Sequence, residues 1–413
     1  MSDASTRLRA EDISLNRRVI AFILLMVFEF FYGWSWNTVD VLRPQIREEL
    51  GLTLTQAGSS YTAQSLGALI GSVTFGVLAD HYGRRPMLIA IIVGTSAGAA
   101  AGAYVTSYEM LLVQRFILGL FLGGNFPVLI GTYMGLFSSG VRAKLASLGQ
   151  GTYNVSVIAL GAAYGMFAER SDWHVLLLIG SVPALILSPL IFWLIPDDRK
   201  MTAFGADPNE PKGGRMPLFE LFSPQLRRTT GLLFALVALN FFSYQAFAGW
   251  TTTFLKDDQG LSSETIGWIV SIQFTGALIG GFFWGWFSDR YGRRPTGIGF
   301  ALGGLSVLAY VTIADSSLDF AIAGFCWGFA ITASVAWAPW ISELYPTRVR
   351  SSAMSIFNWG RIISMTAPLV TGEIAASFGL EAAMSLAIVG FGLGALVWFA
   401  LPETVSRHKT ATQ

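Results

Sequence analysis

Four ionisable residues sit inside runs of sequence that are otherwise apolar: Glu29, Asp40, Arg115 and Arg361. A charge in such a setting is costly, so each is a functional candidate by default. Arg361 is the sharpest. Its guanidinium can grip a carboxylate through two parallel hydrogen bonds, and Asn358, three residues earlier, shares its face if the run is helical. The alternative is an arginine paired permanently with an acid. Glu29 lies at similar depth in its own run. A buried carboxyl can take up and release a proton, or it can form a fixed pair with an arginine that shapes a cavity. Asp40 stands three residues before Arg43 and reads either as a second proton site or as a solvated ion pair. Arg115 is split between a cavity role and a structural one.

Neutral polar residues surround these charges. Asn125, Gln150, Tyr153, Asn154, Tyr244 and Gln273 are candidate ligand contacts. Each taken alone also reads as a helix–helix hydrogen bond of about 0.6 kcal/mol on average. Tyr153 is the half-chain counterpart of Arg361, so one half offers a neutral donor where the other offers a cation. That asymmetry suits a ligand with one anionic end. Trp34, Trp36 and Trp337 could line a cavity and stack an aromatic or sugar ring, or belong to the interfacial belts that aromatics form near helix ends.

These residues need elements to hold them, and the chain states those elements twice. Residues 64–86 read QSLGALIGSVTFGVLADHYGRRP and residues 273–295 read QFTGALIGGFFWGWFSDRYGRRP, with 13 of 23 positions identical at an offset of 209. Gly67 and Gly71, and again Gly276 and Gly280, place small residues four apart, which lets helices approach closely in lipid. Each copy ends in an aspartate, a glycine suited to a tight turn, two arginines and a proline suited to the first turn of the next helix. Asp80 with Arg84, and Asp289 with Arg293, are expected to make charge-assisted contacts with helix ends of the opposite half. A second loop pair places Arg142 opposite Arg350, while Glu343 faces Gly135 and has no acidic counterpart. Arg142 and Arg350 are expected to pair with Asp289 and Asp80 and hold one end of the molecule shut.

The chain has 413 residues, of which 53% are hydrophobic and 13% charged, with a mean hydropathy of +0.54. A soluble domain carries about 25% charged residues. Runs of about 20 apolar residues, enough to cross a bilayer, recur over roughly 19–42, 57–79, 86–106, 109–134, 143–167, 173–195, 229–255, 264–287, 296–314, 318–341, 352–376 and 381–401. Arg361 falls about nine residues, or roughly 14 Å, into the eleventh run. Expected, therefore, is an all-α membrane protein of twelve transmembrane helices in two six-helix bundles, 1–195 and 229–413, joined by the polar segment 196–228. With both termini on the cytoplasmic face, only Arg43, Arg47, Arg170 and Lys256 of the 27 basic residues fall outside, which fits the positive-inside rule. The single cysteine, Cys326, lies in the tenth run, so disulfides and thiolate metal sites are excluded. A net charge of +1 suggests no nucleic-acid partner. No metal cluster, nucleotide loop or catalytic triad is present, so no cofactor and no enzymatic activity are expected.

The stretch Gly76-x-Leu78-Ala79-Asp80-x-x-Gly83-Arg84-Arg85, doubled, resembles the signature loop of the major facilitator superfamily, and the resemblance covers the whole chain. It implies two bundles, a central site and alternating access in the plasma (inner) membrane. Ser355-x-x-Asn358-x-Gly360-Arg361 and Arg115-Phe-Ile-Leu-Gly119 through Pro127 resemble helices 11 and 4 of the organic-acid proton symporters, of the sialate, lactate and aromatic-acid kinds. In that group the arginine of helix 11 is expected to hold the substrate carboxylate. Asn125 and Ser35 depart from the group, which usually has acids there, so either Glu29 or Asp40 carries the proton, or the proton is coupled differently, or the chain is a uniporter or exchanger. The implied partners are a small organic anion, a proton and the lipid bilayer, with a monomer as the working form. The alternatives are a neutral sugar or polyol porter, favoured by the ending Leu401-Pro402-Glu403-Thr404, and a drug efflux antiporter.

Overall fold

The structure, a computed structural model, describes residues 8–168, 173–195, 201–202, 218–346, 349, 353–354 and 356–405. Its helices are α1 Leu15–Val41, α2 Arg43–Leu50, α3 Leu54–Tyr82, α4 Arg84–Gly102, α5 Tyr108–Asn125, α6 Gly131–Leu136, α7 Ser139–Phe167 and α8 His174–Leu194 in the first half. The second half has α9 Arg227–Ala248, α10 Thr251–Thr253, α11 Ser263–Tyr291, α12 Ile298–Thr312, α13 Ser317–Ile331, α14 Trp337–Leu344, α15 Ile356–Ser364, α16 Ala367–Phe378 and α17 Leu380–Ala400. Ten helical segments among the described residues are long and apolar enough to cross a membrane. The fifth span of the expected twelve is α7, and the eleventh is α15 followed by α16. Pro368 sits in the first turn of α16, where its missing N–H costs nothing but where it cannot continue the helix before it.

The pseudo-symmetry runs down to caps and contacts. Ser107 caps α5 through Met110 N–H and Ser316, at the same offset, caps α13 through Asp319 N–H. A Cβ on Gly71 would lie 1.8 Å from the Leu120 carbonyl oxygen, and one on Gly280 2.3 Å from that of Phe329. From the facing helices, Gly119 and Gly328 would each bring a Cβ within 2.0 Å of a carbonyl oxygen, of Gln64 and of Gln273. The glycines of the doubled block thus let α3 touch α5, and α11 touch α13, backbone to backbone.

By internal packing the chain forms two compact units. One comprises Met1–Val39, Ala63–Ser156 and Arg170–Lys212; the other comprises Asp40–Thr62, Val157–Glu169 and Gly213–Gln413. In the first unit Leu8–Arg9 pairs in parallel with Met201–Thr202, a two-residue ladder that tethers the segment before α1 to the segment after α8. In the second unit, the chain around α2 and the last turns of α7 belong with the helices of the second half. Thr62 donates to the Met365 carbonyl at 2.7 Å and Ser271 to the Ile158 carbonyl at 3.0 Å.

Candidate functional site

In the first unit, α1 passes its midpoint at Glu29, which is half-buried. Asn125, the last residue of α5 and 1% exposed, donates its Nδ2 to Glu29 Oε2 at 2.9 Å. The helix continues from Asn125 as a π turn, Phe126–Ile130, containing Pro127. Such turns cluster at functional sites. Asn125 Oδ1 is buried with no hydrogen-bond partner among the described residues. An amide answers both forms of a carboxyl, donating to the carboxylate and, if rotated, accepting from the acid. Arg115, 1% exposed, is ten residues earlier on the same helix path, about 15 Å away at 1.5 Å per residue. Arg115 and Glu29 are therefore at different depths.

One turn beyond Glu29, α1 meets α7. Asn37 donates to the Gly33 carbonyl at 2.7 Å and to the Tyr153 hydroxyl at 2.9 Å. Gly33 is obligatory there, since a Cβ would sit 2.2 Å from Ser156 Oγ. Asn154 is buried, whereas Gln150, one turn earlier, is exposed. Asn37 was not among the expected contacts. Its signal lay in the Gly33–Asn37 spacing of four, the reach of an i,i+4 bond. Trp34 and Trp337 are packing residues. The Trp34 indole donates to the Leu176 carbonyl at 2.8 Å, and Trp337, 2% exposed, lies against Phe300 and Trp398.

In the second unit, Asp40 and Arg43 form the expected pair, but a buried one: Asp40 is 7% and Arg43 1% exposed. Gln245 on α9 donates to the same Asp40 oxygen at 3.0 Å, and Thr252 donates to the Asp40 carbonyl at 2.8 Å. The Arg43 guanidinium lies over the Trp250 ring, 4.4 Å from its centroid, and this indole donates to Thr371 Oγ1 at 2.7 Å. The pair escaped solvation because an aromatic plane and an amide from the second half cover it. Arg43 Nε and Nη1 are buried with no hydrogen-bond partner among the described residues, and each unmet buried donor costs about 1–3 kcal/mol. Around the cluster, Arg47 binds Asp257, Lys256 lies 3.9 Å from Glu48, and Thr55 donates to Glu373 at 3.2 Å. Gln273 is buried against α13, and Tyr244 lies on Trp327 with ring centroids 5.6 Å apart.

The charged turns at the other end of the helices make several contacts within their own halves. Arg84 donates to the Gly131 carbonyl, Arg85 to the Phe192 carbonyl at 3.2 Å, and Arg142 to the Phe137 carbonyl at 3.0 Å. Asp289 is held by Arg293 at 2.7 Å. Arg293 also grips Glu343 with two prongs, at 2.8 and 3.2 Å, and Thr404 donates to Glu343. Glu403 accepts from the backbone N–H groups of Arg293 and Arg294 at 3.0 and 2.9 Å. Burial alone would raise the Glu403 carboxyl; four backbone N–H bonds win and hold it below the usual range. Gly292, at φ +114°, makes room for this carboxylate. Arg350 lies outside the described residues, and so do the side chains of Arg361 and Asn358 on α15.

A sequence profile of the Major Facilitator Superfamily matches residues 25–263 and 233–413. The gallate transporter of Pseudomonas putida is 27% identical over 91% of this chain and 90% of its own length. The probable 4-methylmuconolactone transporter of Cupriavidus pinatubonensis is 28% identical over 91% and 89%. The sialic acid transporter NanX of Escherichia coli is 25% identical over 92% and 94%. In fold, the chain is similar to a bacterial homolog of the human lysosomal transporter Spinster, with a TM-score of 0.77 over 94% of this chain and 97% of that one at 15% identity. With both halves matched and relatives aligned along nearly the full length, the chain belongs to the Major Facilitator Superfamily and is a transporter, not an enzyme.

Proposed function

We propose that the protein imports a small organic anion, a monocarboxylate, aromatic acid or sugar acid, by alternating access with proton symport. The observation that carries the reading is Glu29: an acid in the middle of an apolar span, partnered by the amide of Asn125. An arginine partner would hold the carboxylate charged; an amide lets it gain and lose a proton without losing its hydrogen bond. This also accounts for the neutral residue at Asn125, because the acid stands across the helix contact instead. The anion is supported by the relatives, named for gallate, sialic acid and 4-hydroxybenzoate, each of which bears a carboxylate. Arg361 is the proposed carboxylate contact, Asn358, Arg115, Tyr153 and Asn154 are proposed as further substrate contacts, and Asp40 serves in gating. The bundles are 1–195 and 229–413, the working form is a monomer, and both termini face the cytoplasm of the cell. The sugar-porter-like ending needs no sugar to explain it, since Glu403 caps the turn at Arg293.

Proteoliposome uptake tests the reading. Gallate, 4-hydroxybenzoate, sialic acid and glucose are offered with and without a pH gradient, alkaline inside. At least one acid should accumulate against its gradient, and glucose should not. Arg361→Ala should abolish uptake, while Glu29→Gln should keep substrate exchange and lose accumulation. Glucose uptake that survives Arg361→Ala would overturn the anion. Accumulation that survives Glu29→Gln would overturn the proton site.

A further inference from the structure

We infer that the second half of the chain holds a water molecule beside Gly324, between Gln273 on α11, Tyr310 on α12 and Trp327 on α13. Gln273 Oε1, the Tyr310 hydroxyl and the Trp327 indole N–H are buried with no hydrogen-bond partner among the described residues. The three residues are 1%, 0% and 1% exposed. Buried polar groups are nearly always hydrogen-bonded, to protein or to water, so three exceptions in one place call for a partner. The three groups are neighbours. A Cβ built on Gly324 would lie 3.4 Å from Gln273 Oε1 and 3.7 Å from the Tyr310 ring. Trp327 follows Gly324 by one turn of α13. It shares the Phe247 ring with Tyr310, at centroid distances of 4.9 and 5.0 Å.

Gly324 is unlike the other glycines where α11 meets α13. At Gly276, Gly280 and Gly328 a Cβ would come within 2.3 Å of a facing carbonyl oxygen, so the close approach of the helices demands glycine. At Gly324 a methyl group would meet nothing nearer than 3.4 Å. Room for a methyl group is room for about one water, and a buried water needs two to four polar partners. Here it would accept from the Tyr310 hydroxyl and the Trp327 indole and donate to Gln273 Oε1. The arrangement belongs to this half alone. At the offset of 209, Gln64 matches Gln273, but Arg115 stands for Gly324, Ala101 for Tyr310 and Leu118 for Trp327. In the first half the Gln64 amide instead donates to the Trp36 carbonyl at 3.0 Å. Three differences at one place thus exchange a long cationic side chain for a small polar space, and the water ties α11 to α12 and α13.

Pulsed X-ray radiolysis of the whole protein in detergent tests the site, because it oxidises side chains that have water against them. Tyr310 should be oxidised several-fold faster than Tyr164, which is equally buried but accepts from Gln45 Nε2 at 2.7 Å. Gly324→Ala, whose methyl group takes the place of the water, should bring Tyr310 down to the rate of Tyr164. Thermal stability gives a second reading of opposite sign. Removing a buried hydroxyl that has no partner is neutral or stabilising, whereas removing one bonded to water strands the other members of the cluster. Tyr310→Phe should therefore lower Tm by about 2–4 °C. Equal oxidation of Tyr310 and Tyr164 in the parent, or a Tm that holds or rises in Tyr310→Phe, overturns the water. Oxidation of Tyr310 that survives Gly324→Ala overturns its placement beside this glycine.

Discussion

The two copies of the GRRP turn share sequence and backbone but differ in what they hold. Both turn through a glycine at positive φ, Gly83 at +95° and Gly292 at +114°. In the second copy, Arg293 is clamped by Asp289, Glu343 and Ser288, and Glu403 gathers the N–H groups of Arg293 and Arg294. In the first, Arg84 donates to the Gly131 carbonyl and Arg85 to the Phe192 carbonyl, and Asp80 is exposed with no ion-pair partner among the described residues. Part of the difference comes from a residue outside the repeat: Gly135 stands where the second half has Glu343. Glu403, in Leu401-Pro402-Glu403, is matched by the acid of Ile195-Pro196-Asp197, which lies outside the described residues. The duplicated block builds the turn; Glu343, an acid without a counterpart, adds a two-pronged grip on Arg293.

The strongest way to break this contrast is to put a Cβ into each turn. Gly83→Ala and Gly292→Ala should each suffer backbone strain of about 1–3 kcal/mol. At Gly292 a collision is added, since a Cβ there would lie 2.6 Å from a Glu403 carboxylate oxygen. Gly292→Ala should therefore cost more thermal stability in detergent in the parent than in a Glu403→Ala background. Equal losses would mean that Glu403 does not occupy the turn. Next in size is Glu343→Gln, which removes the two-pronged grip on Arg293. Hydrogen bonds to charged groups contribute about 1.5–3 kcal/mol when buried. Glu343 has a side chain that is 34% exposed, so a loss of about 1 kcal/mol is expected, read as a fall in Tm. Arg84→Gln, which gives up a bond to a neutral carbonyl, should cost less.

A smaller effect separates the aspartates. Asp289→Asn weakens an exposed i,i+4 pair, about 0.3–0.5 kcal/mol, and should scarcely move Tm. Asp80→Asn should leave Tm unchanged yet alter which face of the transporter is accessible to a thiol reagent. If the two variants behave alike in both measurements, the turns are equivalent in function despite their different partners.

Much of this was legible in the residues and some of it was not. Hydropathy runs and the repeat with its turn glycines are local signals, so the ten membrane-length helices and the close helix contacts followed from them. The Asp40–Arg43 spacing announced an ion pair, but its burial depends on Gln245 and Trp250, about 200 residues away and unmarked by any motif. For the same reason Asn37 went unnoticed: nothing local says that its amide reaches Tyr153 on α7. The contacts of the turn arginines within each half were not legible either: the ends of α8 and α14 and the carbonyl at Gly131 lie beside the turns, and no local spacing marks them as acceptors.

The smallest expected effect is one of pH, and it belongs to the second turn. Glu403 is held ionised by backbone N–H groups against the pull of its burial, so its folded-state value lies below its unfolded one, near 4.3. A depressed carboxyl adds stability that is present above the unfolded value and fades as pH falls through the folded one. Tm should therefore decline more steeply below about pH 4 in the parent than in Glu403→Gln, the two curves converging as the acid is protonated. A scan of Tm from pH 3 to 6 on the two proteins reads the difference directly. Parallel curves for the parent and Glu403→Gln would mean that the carboxyl titrates as it does in the unfolded chain, and that the bolt on the second turn is steric, not electrostatic.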